Sequence, residues 1–390
     1  MRERGGRALQ AHQPVAAGAH PRRGGRLPLP DHADPARRLI VGHVSLRNFR
    51  SYAGLELDLA PGLVLVTGPN GVGKTNLLEG LHVGAQGFSP RTRSEPRLIR
   101  FGEDAARVRL SGMSEATAFE TQVDLAPGTG KQVRLNGAAL GSGEELRARL
   151  SALVFTPERL AVVKGGPIVR RAYLDRMLGR VFPSRAAIPT NYGKAVAQRN
   201  AALRRARAGE SGLDAVEPWT AQVAELGTEV DAARTELAEL LGPGFGRIAA
   251  ALGLEEARLS YDGPGLTVEE LTERLDRDLE RAVTGAGPHL RDAAITAGDR
   301  ELRSYGSQGE QRTAVLALVL AEAEVLTERR GEPPLLLLDD VFSELDTDRR
   351  GALLAALPPG GQAVITATHR PGVAQPDLVL EVAPGEARAA

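Results

Sequence analysis

The stretch GLVLVTGPNGVGKTNLLEGLHVG, residues 62–84, decides the fold. It opens with a short continuous apolar run, the pattern expected of a strand buried on both faces of a sheet. It closes with the helix-forming segment NLLEGLHVG. Between the two, Gly68, Pro69, Asn70, Gly71, Val72, Gly73, Lys74 and Thr75 satisfy GxxxxGK[ST]. The order strand, glycine turn, helix gives the motif its chemistry. Glycines let backbone N–H groups close around phosphates, and a helix N-terminus favours negative charge. Lys74 is then expected at the β- and γ-phosphates of a nucleotide, the Thr75 hydroxyl on Mg²⁺, and Asn76 beside them. Lysine is rare in this chain: four of the 49 basic residues are lysines, so Lys74 does not stand in the loop by abundance.

Three segments far downstream complete such a site. LLLL, residues 335–338, ends in Asp339 and Asp340, and an α/β sheet presents its ligand-facing groups beyond the carboxyl ends of its strands. Asp339 is expected to hold Mg²⁺ through water, and Asp340 to orient or deprotonate an attacking water. YGSQGEQ, residues 305–311, precedes the apolar helix TAVLALVLAEAEVL, so Ser307, Gln308 and Gly309 form a second helix start suited to phosphate. The strand AVITAT leads to His369, which reads equally as a turn residue or as a contact to the γ-phosphate.

Around these motifs the chain divides. Residues 39–170 alternate apolar and polar residues in HVSLRNF, LELDL, ARVRL, FETQVDL and KQVRLNG, with turn signals at Pro127-Gly128 and Asn136-Gly137, as in antiparallel strands with one wet face. Residues 171–295 carry apolar positions at spacings of three and four and predict a helical insert, with helices too short for long coiled-coil arms. Residues 296–390 return to strand and helix and finish the first lobe. Residues 1–38, rich in Arg, Gly, Pro and Ala without period, predict a disordered basic extension. The expected fold class is α/β, with a mixed sheet, an antiparallel β layer and an inserted helical lobe.

Composition narrows the function. With 390 residues the chain is long for one core. It has no cysteine, which excludes disulfides, thiolate metal sites and thiol catalysis, and its seven histidines never fall in metal-ligand spacing. No run approaches the ~18 apolar residues of a membrane span, so a cytoplasmic protein is expected. Forty-nine acids balance 49 bases, so a nucleic acid would be met by a local patch. Two arginine groups are candidates: Arg91, Arg93, Arg97 and Arg100 after the glycine loop, and Arg199, Arg204, Arg205 and Arg207 on the insert.

Taken in order, NFRSY, the glycine loop, the split by an insert, YGSQGEQRT, LLLLDDVFSELD and the terminal Thr-His resemble the ABC-type ATPase head of SMC-like proteins. Within that group residues 41–385 are similar to the RecF family of recombination mediators. Phe155-Thr-Pro-Glu158, the segment from Val163 to Asp175 and Gln198-Arg199-Asn200 support it. The resemblance implies ATP and Mg²⁺ as cofactors, slow DNA-stimulated ATP hydrolysis, and an ATP-dependent homodimer at gapped DNA or single-strand/double-strand junctions. It further implies work with RecO and RecR toward RecA loading. Ser307 would then act on the partner's nucleotide, and Ser343 to Asp346 would form the D-loop at the dimer interface. Two departures from the pattern stand out: Gln308 replaces a glycine of the signature, and Pro157 or Glu158 stands where SMC heads carry a Q-loop glutamine, with Gln86 as another Mg²⁺-facing possibility. An ABC transporter subunit is the alternative reading. The 231 positions between Lys74 and Tyr305 and the large β-rich segment argue against it.

Overall fold

In a computed structural model, described for residues 38–390 apart from 129, 373 and 374, alternation in the sequence becomes alternation in burial. The expectation for the arginine-rich extension lies, Arg38 aside, outside the described residues. β1 (Ile40–Phe49) and β2 (Tyr52–Asp58) form a hairpin, β3 (Leu63–Thr67) runs into the glycine loop, and α1 (Lys74–Gln86) leaves it. β4 (Ala106–Ser114), β5 (Thr117–Leu125), β6 (Gln132–Leu135) and β7 (Ala138–Ala139) follow as a meander, then α2 (Gly143–Arg149) and β8 (Ala152–Phe155). The helical part holds α3 (Ala161–Lys164), α4 (Pro167–Val181), α5 (Ile188–Arg207), α6 (Glu217–Ala251), β9 (Ala257–Tyr261), α7 (Val268–Glu273) and α8 (Leu275–Arg281). After β10 (Ala293–Ala297), β11 (Arg300–Glu301) and α9 (Leu302–Tyr305) come α10 (Gln308–Arg330), β12 (Leu335–Leu338), α11 (Thr347–Ala355), β13 (Ala363–Ala367), β14 (Leu378–Ala383) and β15 (Glu386–Ala389).

The strands make three sheets. β2-β1-β4-β5-β6-β7 is antiparallel throughout, whereas β15-β14-β3-β13-β12-β8 is parallel except for β15. The continuous apolar runs have their reason in the parallel sheet, which is covered on both faces. Val64, Val66, Val154, Leu337 and Val364 enter one core with α1 and the antiparallel sheet; Leu65, Phe155, Leu336, Leu338 and Ile365 enter another with α4, α6 and α10. Helix α1 lies against β1 and β4 on a glycine seam. A Cβ at Gly84 would come within 2.5 Å of Leu110 Cγ, so the close approach depends on that missing side chain.

The insert differs from its expectation in two respects. Its proposed limits at 170/171 and 295/296 fall inside α4 and β10, because both elements join the large core between the lobes. A three-stranded sheet, β11-β10-β9, is set among the helices. The short run ARLSY alternates buried and exposed residues but is flanked by longer helical patterns that mask its period. Helix α6, 35 residues long, buries side chains along most of its length and contains Pro243.

Candidate ATP site

Parallel pairing brings the functional segments to one edge. Ala367 of β13 is opposite Thr67 of β3, and Leu338 of β12 is opposite Ile365, so the glycine loop, Asp339, Asp340 and His369 all leave the carboxyl edge of the same sheet. The loop geometry demands its glycines. Gly68 and Gly73 have φ of 149° and 120°, and a Cβ on Gly68 would stand 2.5 Å from the Val382 carbonyl oxygen. Val72 packs on the core behind the loop. The NFRSY segment braces the loop from behind: Tyr52 Oη donates to the Gly73 carbonyl (3.1 Å), Asn76 Nδ2 donates to Ser51 Oγ (3.0 Å), and Arg50 makes two 2.8 Å bonds to the buried Glu79 of α1.

Lys74 folds over the loop it belongs to, donating to the carbonyl oxygens of Gly68 (2.7 Å) and Pro69 (2.8 Å). Burial pushes its ammonium pKa down, and the charges of Asp340 and Asp339 partly offset that. The Thr75 hydroxyl reaches the Asp339 carboxylate at 2.9 and 3.1 Å. Thr366 of β13 lies between the two acids: its hydroxyl donates to Asp339 Oδ1 (2.7 Å) and accepts from the Asp340 N–H (2.8 Å). Asp340 takes a left-handed backbone, φ 51°, and its carbonyl oxygen accepts from Arg312 and from Ser343 Oγ (3.0 Å). Arg312 also pairs with Glu344 at 2.8 Å.

Burial raises the Asp339 carboxyl above the usual carboxylate range; the Thr366 and Thr75 hydroxyls pull it back, and the Asp340 charge raises it again. A raised folded-state pKa in an acid means that stability falls as pH climbs through it, so ionised Asp339 is a net cost at neutral pH. Asp339→Asn is therefore expected to melt at a higher temperature than the parent at pH 7 without nucleotide. The gain should vanish near pH 4, and Mg²⁺-dependent ATP affinity should drop. A lower melting temperature at pH 7 would show that the hydroxyl bonds outweigh burial.

The second helix start lies elsewhere. Ser307 caps α10 in a reciprocal capping box, accepting from Glu310 N–H (3.2 Å) while its own N–H donates to Glu310 Oε2 (2.7 Å). That bond first, and Arg300 next, hold the Glu310 carboxyl below its usual range. Ser307, Gln308 and Gly309 are exposed, and among the described residues no hydrogen bond joins them to residues 68–75. His369 is exposed just past β13.

Several residues take other places than the sequence suggested. Gln86 is buried, donating to the Leu150 carbonyl at 2.8 Å, and does not face the loop. Glu158 stands in the turn after β8, 3.5 Å from Arg91, which also meets Asn76 (3.3 Å) and Glu79 (3.1 Å). Of the insert arginines, Arg204, Arg205 and Arg207 are exposed but Arg199 is wholly buried, bonded to Asp278 (2.6 Å), Thr284 (3.0 Å) and Thr220 (3.0 Å). Arg199 is a structural ion pair and leaves the DNA-facing group. Arg199→Leu strands Asp278 without its partner and is expected to cost about 3 to 5 kcal/mol. Chemical denaturation would measure this, with unchanged ATP affinity of the folded fraction; a loss under 1 kcal/mol would dismiss the role. Two residues of the site, Thr366 and Arg312, carry no signal of their own in the sequence, although they lie within AVITAT and YGSQGEQRT.

A glycine loop and an acid pair on one edge of a parallel sheet, an antiparallel layer across α1, a long insert and a separate signature-like helix start define the head of an SMC-type ABC ATPase. The family described as RecF/RecN/SMC N terminal domain matches residues 40–388. The chain belongs to the RecF family. It is 37% identical to the DNA replication and repair protein RecF of Symbiobacterium thermophilum, covering 85% of this chain and 92% of that protein. It is also 37% identical to the protein of the same name from Frankia alni, over 83% and 92%. A solved structure of the recombination mediator RecF with ATP, in the RecFOR pathway, is 29% identical with a TM-score of 0.79, over 90% of this chain and 97% of that one. An Smc head bound to the C-winged helix domain of ScpA shares the fold, with a TM-score of 0.56 at 17% identity over 90% and 97%. Among the described residues no helix is long and apolar enough to cross a membrane. The relatives are replication and repair proteins, and the transporter reading is dropped.

Proposed function

We propose that this chain is an ATP-dependent DNA-binding protein of recombinational repair. It dimerises on ATP at gapped DNA or single-strand/double-strand junctions, acts in the cytoplasm with RecO and RecR to help load RecA, and hydrolyses ATP slowly when DNA is present. Its ATPase lobe, residues 39–170 with 296–390, and its insert, residues 171–295, share α4 and β10 across their limits. The observation that carries the reading is the meeting of Thr75 and Asp339, 264 positions apart in sequence, at the mouth of the glycine loop.

The residues suit Mg²⁺·ATP. Asp339 is a buried carboxylate whose hydrogen-bond donors are two hydroxyls, with no lysine or arginine bonded to it among the described residues, so it can take a hard cation without first breaking an ion pair. Mg²⁺, when bound, withdraws charge from the phosphates. Lys74 exchanges its two loop carbonyls for phosphate oxygens, and Thr75 and Asp339 hold the metal side of the site. Asp340 stands next in the chain to orient or deprotonate water, with Thr366 and Arg312 fixing its backbone. Ser307, exposed and without a hydrogen bond to residues 68–75 among the described residues, serves the partner's γ-phosphate.

Mass in solution tests this. Addition of ATP and Mg²⁺ with gapped DNA is expected to double the protein mass, and omission of either ATP or Mg²⁺ to restore the monomer. A monomer under every condition overturns the reading.

A further inference from the structure

The outer face of the antiparallel sheet, turned away from α1, takes no part in the nucleotide site. Arg47 of β1, Arg107 and Arg109 of β4 and Arg134 of β6 all lie exposed on it. Register sets Arg47 directly opposite Arg107. Like charges opposite one another destabilise a strand pair, so this end of the sheet favours an anionic partner. Asp124 pairs with Arg107 at 2.5 Å and its charge also reaches Arg134, while Arg109 Nε donates to Gln122 Oε1 at 2.8 Å. Among the described residues the Arg47 side chain has no hydrogen bond or ion pair, and Arg134 has one long bond of 3.4 Å to Gln132. Arg47, Arg107, Gln132 and Arg134 line a groove of about 440 Å³ in which Asp124 is the one carboxylate. At the opposite end of the face the sign changes, where Asp58 and Glu56 close on His43 at 2.7 and 3.0 Å.

Beside the basic end, the turn at residues 100–103 holds Phe101 wholly out in solvent, at 103% exposure. The turn is pinned next to Arg47: the Arg100 N–H donates to the Asn48 carbonyl (2.8 Å), and Asn48 Nδ2 donates to Glu103 Oε2 (2.9 Å). A bare aromatic ring on an anchored turn, at the border of a cluster of exposed guanidinium groups, fits a polyanion that also offers flat apolar faces. Single-stranded nucleic acid has both, since phosphates pair with arginine and every base can stack on an aromatic ring.

We propose that this end of the sheet is a nucleic-acid surface on which Arg47, Arg107, Arg109 and Arg134 take backbone phosphates and Phe101 stacks on an unpaired base. The proposal rests on the functional proposal that the chain binds gapped DNA with ATP, and gives that binding its single-strand component.

The test uses the full chain with ATP and Mg²⁺, and labelled gapped and fully paired duplexes between about 50 and 200 mM salt. If the parent protein fails to bind gapped DNA, the general reading falls. Where the parent binds, Phe101→Ala is expected to weaken gapped DNA about tenfold, from the loss of one stacked base, and to change paired duplex by less than about twofold. Arg47→Ala with Arg134→Ala, which spares the Arg107–Asp124 pair, should weaken both DNAs and lower the salt slope by about two. Unchanged ATP affinity in each variant shows an intact head. Unchanged DNA affinity in both variants overturns the surface, as does a Phe101→Ala variant that loses its ATP-dependent dimer while retaining the parent preference for gapped over paired DNA.

Discussion

Two inactive variants, Ser307→Arg and Lys74→Met, are expected to recover roughly a quarter of the parent ATPase activity when mixed in equal amounts with ATP, Mg²⁺ and gapped DNA. The proposed dimer supplies the reason. Ser307 begins α10 in exposed surroundings and, among the described residues, makes no hydrogen bond to its own glycine loop, which suits the proposed role at the partner's phosphate. Lys74 is needed wherever phosphate charge must be met, because its ammonium supplies charge that backbone N–H groups cannot. Lys74→Met alone should lose ATP binding and, with it, ATP-dependent DNA binding. Ser307→Arg alone should still bind ATP but not close the dimer. Random pairing makes about half the dimers mixed, and each mixed dimer has one intact site of two. Full ATPase activity of Ser307→Arg with DNA, or its activity as a monomer, disproves composite sites.

Asp340→Asn should separate binding from chemistry. Asparagine accepts a left-handed backbone nearly as well as aspartate, so the φ of 51° and the bonds through the Asp340 N–H and carbonyl survive the change. The charge and the base do not. ATP should bind with near-parent affinity, hydrolysis should fall by ~10² or more, and the dimer on DNA should persist longer. Single-turnover hydrolysis and equilibrium ATP binding, measured on the same preparation, decide it; equal losses in both would place the metal on Asp340 instead.

Much of this site can be read from the chain because its parts are chemically unusual where they stand. Packing alone rarely puts a lysine in a glycine loop or ends an apolar strand in two acids. Thr366 and Arg312 escape because each looks ordinary in sequence: one is a β-branched residue in a β-strand, the other one of many arginines. Only pairing of β12 with β13, and the crossing of α10 behind Asp340, gives them their work. Arg199 shows the reverse failure. It sits with Arg204, Arg205 and Arg207 in a basic helix, yet α6 and α8 close over it, and burial is decided by elements far along the chain. β9 to β11 are lost in the same way, since short strands between long helices leave too few residues for a period of two to show.

Helix α10 would join two nucleotide sites in the proposed dimer. In the proposed dimer its first residues face the partner, and five positions on, about 7.5 Å along the axis, Arg312 grips the carbonyl of Asp340 in its own site. A helix this well buried moves as a rod. In the proposed dimer, a push on Ser307 from the partner's nucleotide would therefore reach the Asp340 carbonyl of its own chain through a single helix.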